Sequence, residues 1–430
     1  MENTFDKLPF KPADILLPRD CDYDKWSVVA CDQYTSQPEY WQRVEERVGR
    51  APSALRLILP ESSLDGPHME MDIMEINSTM SRYVREGRFK TLSGAMIYVE
   101  RTLFNGRVRR GLVGMADLTA YEYEPDSDVL IRATEGVVMS RIPPRVAVRK
   151  NAPIELPHAM LLTDDPGRTV IEPLAAQTGS MELLYDFDLM EQGGHIRGWR
   201  LTETQLEQVS GALLSLADPA AFNVKYRTEN QPVMLFAVGD GNHSLATAKE
   251  CYERQKRLMP REKWDTMPSR YALCELVNLH DDSLEFEPIH RVVFHTEPEA
   301  LLDALVRRYP GSRRGAEREG DGLPVRYVCA GSERVITMPR SAARLAVGAL
   351  QSFLDDYLME HSGRVDYIHG EDVAREFAAR PGNIAFLLPP MTKEELFPSV
   401  IHDGVLPRKT FSMGEAHDKR FYLEARRIRE

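Results

Sequence analysis

Met69, Ile73, Ile76, Met80 and Tyr83 recur at the spacing of one helix face, so residues 69–85 are predicted to be helical, with Gly87 as the stop. The stretches 97–103 and 108–115 flank Asn105-Gly106, a pair suited to the positive φ angles of a type I′ turn, and predict a hairpin. Residues 26–31 read as a strand and 38–50 as a helix. Thr202 and Gln205 have capping-box spacing and open a helix running to about Leu216. The apolar run 231–238 predicts a strand, broken at Gly239-Asp240-Gly241-Asn242 and followed by a helix over 243–257. Another apolar strand covers 271–279. Strands at 325–329 and 334–338 are predicted to pair around Gly331-Ser332. Helices follow at 345–360 and 371–379, then a strand at 384–388 and a short helix capped by Thr392 and Glu395. Residues 116–158 are rich in Pro, Arg and Glu, show no period and read as irregular. Strands and helices mix without strict alternation, which predicts an α+β fold.

The chain has 430 residues, enough for about three folding units. Three regions are expected: a mixed α/β region over 1–225, a strand-turn-helix region over 226–295 and a C-terminal α/β region over 296–430. Hydrophobic residues make up 43% and charged residues 28%, so a large core can form. The net charge of −12 argues against a protein that mainly grips nucleic acid or anionic lipid, while leaving room for a local basic pocket. The five cysteines are scattered and never spaced C-x-x-C, which excludes a disulfide scaffold and a ribbon-type zinc site. His361, His369 and His402 also lack metal-ligand spacing. The N-terminus has no apolar secretory core, and no run of about 18 apolar residues exists, so a cytoplasmic chain with no membrane partner is expected.

The richest chemistry lies where strand 231–238 meets helix 243–257. The first amides of a helix have no intrahelical partners and point outward at the positive end of its dipole, so phosphate or carboxylate can bind there. Gly239 and Gly241 allow the backbone to bend and approach closely. Asn242 and Ser244 add polar groups, His243 can donate a hydrogen bond or move a proton, and Asp240 can act as a base or hold magnesium. On spacing alone the same residues are also explained by Asp240 or Asn242 capping the helix.

The 232–249 segment, with its DGNHSLATA run, is similar to the DGHHR-type signature of the domain-of-unknown-function 1015 family. FKPADILLPRD, IYVERTLFNGRVRRGLVG, IRATEG, CELVNLHDDSLEFEPIHRVV, AFLLPP and VLPRKTF extend that resemblance along nearly the whole chain. Strand-DGHHR-helix also resembles the phosphate-binding motif of the ParB/sulfiredoxin superfamily, which includes CTP-binding switches, sulfiredoxins and free-serine kinases. That resemblance implies a ParB/sulfiredoxin-like core with large insertions and a C-terminal α/β segment. It also implies a nucleotide phosphate, from ATP or ADP with Mg2+, at the helix N-terminus. Where that signature reads DGHHR this chain has Asp240, Gly241, Asn242, His243 and Ser244, so a cation such as Arg132, Arg141 or Arg291 must stand in for the bidentate arginine.

The activity so implied is a phosphotransferase acting on a small hydroxylated metabolite, with serine or a serine-like amino acid as the first acceptor. Asp240 or Glu135 would be the base, His243 a catalytic partner and Asp240 the metal ligand. Gly241, Asn242, Ser244, Arg132, Arg291 and Lys409 would bind nucleotide or phosphate, and Asp32, Tyr34 and His290 would line the substrate pocket. Two alternatives use the same cradle: a nucleotide-binding switch without turnover, and a phosphatase of a phosphorylated amino acid.

Overall fold

In the computed structural model, residues 4–35, 37–64, 66–124, 127–315 and 322–429 are described. They form two compact units, Met1–Leu284 with Gly414–Glu430, and Glu285–Met413. The boundaries expected at 225/226 and 295/296 therefore give way to divisions at 284/285 and 413/414. The strand-turn-helix segment is an internal part of the first unit, because both of its neighbouring strands come from earlier in the chain. Helices and strands are mixed in an α+β arrangement with several separate sheets. Among the described residues no helix is long and apolar enough to cross a membrane.

The first unit is built on a ten-stranded sheet. Its order is Glu182–Asp188, His195–Arg200, Ile97–Thr102, Val108–Asp117, Tyr271–Asn278, Met160–Thr163, Phe236–Asp240, Ile131–Ala133 and Tyr121–Glu122, with Phe10–Lys11 paired to Val108–Asp117 off this path. The inner strands Tyr271–Asn278 and Met160–Thr163 are buried almost throughout, which is why neither shows the apolar–polar alternation of a half-exposed strand. A four-stranded sheet, Phe89–Ala95, Ala13–Pro18, Ala425–Arg427 and Ile154–Glu155, brings the C-terminal residues into the same unit. Helix Met69–Arg85 buries Ile73, Ile76, Met80 and Tyr83, the face its spacing marks. Gly87 follows it at φ +66°, where any side chain would be strained.

Three local expectations are corrected. Trp26 ends a single-turn helix, Tyr23–Trp26, and the strand is only Val28–Val29, paired with Phe421–Tyr422. The buried Trp26 indole donates to the Leu423 carbonyl at 3.1 Å, a tertiary contact that overrides local strand preference. In the 97–117 hairpin only Gly106 has positive φ, so Asn105-Gly106 is not a type I′ turn. The Gly106 amide donates to the Leu103 carbonyl and the Leu103 amide to the Arg107 carbonyl, the pattern of a type I turn followed by a left-handed glycine. The type I′ signature of two positive φ values falls at Ala330-Gly331 instead. Residues 116–158 are also more ordered than expected, because Ile131–Ala133 pairs with the motif strand and Ile142–Arg149 is a helix.

The second unit is a seven-stranded sheet with the path Arg313–Gly315, Ser332–Met338, Leu323–Cys329, Ile384–Leu387, Phe286–Phe294 and Arg364–His369, and with Phe411–Met413 paired to the start of Phe286–Phe294. Adjacent residues on one strand face opposite layers. Val293 packs with helices Pro298–Arg308 and Ala346–Glu360, whereas Val292 packs with Ala374 and Ala378 of helix Glu371–Ala378.

Candidate functional site

The strand Phe236–Asp240 runs directly into helix Asn242–Lys256 through one residue, Gly241. Gly241 sits at φ +79°, and a Cβ there would lie 2.8 Å from the Ala159 Cα and 3.0 Å from the His158 Cδ2. Both the left-handed backbone and the close approach require glycine. Leu245 is the first residue to donate back to Gly241. The helix carries no side-chain N-cap: the Asp240 Oδ1 accepts only from the Gly241 amide, at 2.9 Å, one step short of the helix. The outward amides of this first turn are therefore not covered by a capping side chain.

The Asn242 side chain turns inward. It is 8% exposed; its Oδ1 accepts from the Thr134 amide at 3.2 Å and its Nδ2 donates to the Thr134 Oγ1 at 3.3 Å. Thr134 in turn donates to the Val238 carbonyl at 2.6 Å, stitching the end of strand Ile131–Ala133 to the motif strand. His243 is half-buried, and its Nε2 accepts from the Val138 amide at 3.1 Å, which leaves Nδ1 as the protonated nitrogen of the neutral ring.

On the other flank, strand Met160–Thr163 pairs antiparallel with the motif strand and bulges between Met160 and Leu161. The bulge delivers His158 and Ala159 against Gly241. The His158 Nε2 is 3.5 Å from the Asp32 Oδ2, and its Nδ1 is 2.5 Å from the Tyr422 hydroxyl. That hydroxyl also accepts from the Cys31 amide at 3.2 Å and donates to the Cys31 Sγ at 3.3 Å. Burial disfavours a charge on His158, but the Tyr422 hydroxyl and the Asp32 carboxylate outweigh it and raise His158 well above the usual histidine value. Burial likewise opposes ionisation of Asp32, and the His158 imidazolium overcomes it, so this carboxyl is held below the ordinary range. Each group thus favours the charged form of the other. The last component is Lys419, whose Nζ is 3.3 Å from the Asp240 Oδ2 and whose charge also acts on Asp32.

A family model described as Protein of unknown function (DUF1015) matches residues 12–357. The chain belongs to the DUF1015 family. No curated protein matches it. Among solved structures, a free serine kinase in complex with AMP is 12% identical with a TM-score of 0.39, the match covering 72% of this chain and 90% of that one. A conserved hypothetical protein from Pyrococcus furiosus is 10% identical with a TM-score of 0.37, covering 73% and 94%. SbnI with a C-terminal truncation, from Staphylococcus aureus, is 8% identical with a TM-score of 0.36, covering 70% and 82%. Similarity at this level carries no argument about activity.

Within this DUF1015 chain the residues singled out by sequence divide into three groups. Asp240, Gly241, Asn242, His243 and Ser244 lie together at the motif turn; Glu135 follows the neighbouring strand as a half-buried residue, and Asp32 reaches the turn through His158. Arg132 and Tyr34 are close in the chain to these groups but engaged elsewhere. Arg132 pairs opposite Ala237, yet its guanidinium donates to the Val129 and Pro232 carbonyls at 3.0 and 2.9 Å, towards the start of the motif strand rather than its Gly241 end. The Tyr34 ring stacks on Tyr40 with centroids 3.7 Å apart. His290, Arg291 and Lys409 belong to the second unit. Arg291 is fully buried and donates to Gln351 and to the carbonyls of Lys409 and Arg408, and the His290 Nδ1 accepts from the Leu388 amide at 3.2 Å. Lys409 is exposed at φ +57°. His158, Tyr422 and Lys419 escape a reading from spacing, because only tertiary contacts between distant parts of the chain bring them to the turn.

The donor set does not suit a protein-built magnesium site at Asp240. One Asp240 oxygen takes the Gly241 amide, the other faces the Lys419 ammonium, and the Asp32 carboxylate is paired to His158. Among the described residues no group of three or more His, Cys, Asp or Glu converges in a way that could hold a metal. A hard cation needs several anionic or neutral oxygens and is repelled by an ammonium already in place.

Proposed function

We propose that this protein binds the phosphates of a nucleoside di- or triphosphate at the Gly241–Ser244 turn and transfers a phosphoryl group to a small hydroxylated metabolite. The observation that carries the reading is the helix start without a side-chain cap, flanked within one turn by a carboxylate, Asp240, and an imidazole, His243. Phosphoryl transfer asks a protein mainly for positioning and charge stabilisation, and these groups supply both. The outward amides and the helix dipole hold the phosphate oxygens. The acceptor hydroxyl forms a bond to the transferring phosphorus, the phosphorus–oxygen bond to the nucleotide breaks, and the hydroxyl proton passes to Asp240. The Asp32–His158 pair supports the turn from the strand side and borders the acceptor. Resemblance of the 232–249 segment to a superfamily that includes free-serine kinases makes serine the first acceptor to test.

The test is phosphorus NMR of the protein with ATP or ADP, in magnesium-containing buffer, with and without serine, and separately with phosphoserine. Serine-dependent appearance of a phosphomonoester supports the reading. Nucleotide binding with no acceptor-dependent transfer would favour the switch, and loss of phosphoserine without nucleotide would favour the phosphatase; either result overturns the phosphotransferase.

A further inference from the structure

We infer that Lys419 is the phosphate-binding cation of this site, and that Arg101 and Arg109 are the residues that position it. The inference rests on the proposed binding of phosphate at the Gly241–Ser244 turn.

The charge balance at the turn comes first. Asp240 and Asp32 both put carboxylates near the helix start, and either one would repel an incoming phosphate. His158 answers Asp32. Asp240 is answered by Lys419, at 3.3 Å. The pair is not sealed in the core: the Asp240 side chain is 24% exposed and that of Lys419 12%. An ammonium on a four-carbon stem can turn from a carboxylate to a phosphate without moving its backbone. Neighbouring arginines are less able to do so. Arg132 is committed to the far end of the motif strand, and Arg420 is buried between Glu275 and Glu424.

The second argument is how the Lys419 backbone is held. Residues 417–419 lie in no strand; beyond the short 3-10 turn Ala416–Asp418, their carbonyls are held by side chains. Arg101, 2% exposed, donates to the carbonyls of His417 at 2.8 Å, Lys419 at 3.1 Å and Gly193 at 2.8 Å. Arg109, 4% exposed, donates to the Asp418 carbonyl at 2.8 Å. Two buried guanidiniums thus serve the main chain of three consecutive residues. Burying such charges is costly unless each is well paired. Arg101 meets main-chain oxygens and the Phe421 ring, 4.7 Å from its guanidinium carbon. This arrangement aims Lys419 from the central sheet into the turn.

The test is calorimetric titration of the full chain with ADP as the probe. Lys419→Gln is expected to weaken ADP by about tenfold or more, as loss of a charge-assisted contact does, and Lys419→Arg to stay within about threefold of the parent. The Lys419 side chain is only 12% exposed and pairs with Asp240, so both variants are melted alongside and ADP affinity is compared at a temperature where each is folded. Arg101→Lys is expected to weaken ADP in the parent background and to add little in the Lys419→Gln background, a coupling that a general loss of stability would not produce. Equal ADP affinity for the parent and Lys419→Gln would overturn the inference while leaving the proposed function in place. A parent chain that binds no ADP or ATP would overturn both. Additive effects of Arg101→Lys and Lys419→Gln would remove the positioning role.

Discussion

Replacing Gly241 by alanine tests the geometry of the turn. At φ +79° a Cβ meets the following carbonyl, which costs about 1–2 kcal/mol for a non-glycine residue. It also lands 2.8 Å from the Ala159 Cα, a backbone atom that cannot rotate away. Overpacking of that kind costs about 1–3 kcal/mol, so the sum is about 2–5 kcal/mol. For a unit of this size, each kcal/mol lowers the midpoint by about 2 °C, giving a fall of about 4–10 °C. Gly106→Ala is the control: it shares a left-handed φ, +81°, but an added Cβ there has nothing within 4 Å, so only the first cost of about 1–2 kcal/mol applies. Scanning calorimetry and urea melts of both variants measure the difference. Equal, small losses below about 1 kcal/mol in both would refute the close packing of His158 and Ala159 on the motif turn.

Three further outcomes are expected. Asn242→Ala strands the buried Thr134 amide and should cost about 1–3 kcal/mol in urea unfolding; a loss under about 0.5 kcal/mol would contradict the stitch between the two strands. His158 should titrate above the ordinary histidine range in a histidine-selective NMR titration assigned with His158→Asn, and Asp32→Asn should lower its midpoint. Since the folded His158 value is raised, its contribution to stability is full below about pH 6.5 and lost as pH rises through the folded value; the lowered Asp32 contribution is present above about pH 4 and lost on acidification. The stability gap between parent and Asp32→Asn should therefore be widest between those limits, and a gap independent of pH would count against the pair. Ser244→Asp should weaken ADP strongly by placing a negative charge at the cradle, whereas Ser244→Ala should cost about 1 kcal/mol; equal affinity for Ser244→Asp and the parent would place the ligand elsewhere.

Elements decided by neighbours along the chain were legible. The capping boxes of Thr202 with Gln205 and Thr392 with Glu395 both form, and the first of these helices ends at Leu216, as its apolar pattern predicts. The strand-glycine-helix at Phe236–Lys256 is local in the same way. Elements decided by distant partners were not. Ile131–Ala133 is too short to be read alone and exists because the motif strand pairs with it. Asn105 carries the stronger type I′ signal, yet Ala330 adopts the positive φ, because a tight two-residue link is set by the paired strands rather than by the turn dipeptide. At the site, the Gly241–Ser244 turn was visible in the sequence, but its surroundings were not. The Asn242 side chain holds Thr134, a residue 108 positions away, and the cation beside Asp240 is Lys419, which no spacing connects to the turn.

The most direct measurement is a crystal structure of the chain grown with ADP. The account predicts the terminal phosphate within hydrogen-bonding distance of the first-turn amides of helix Asn242–Lys256, with the Lys419 ammonium turned from Asp240 towards it. A nucleotide seated away from that helix start, with the Asp240–Lys419 pair unchanged, would contradict it.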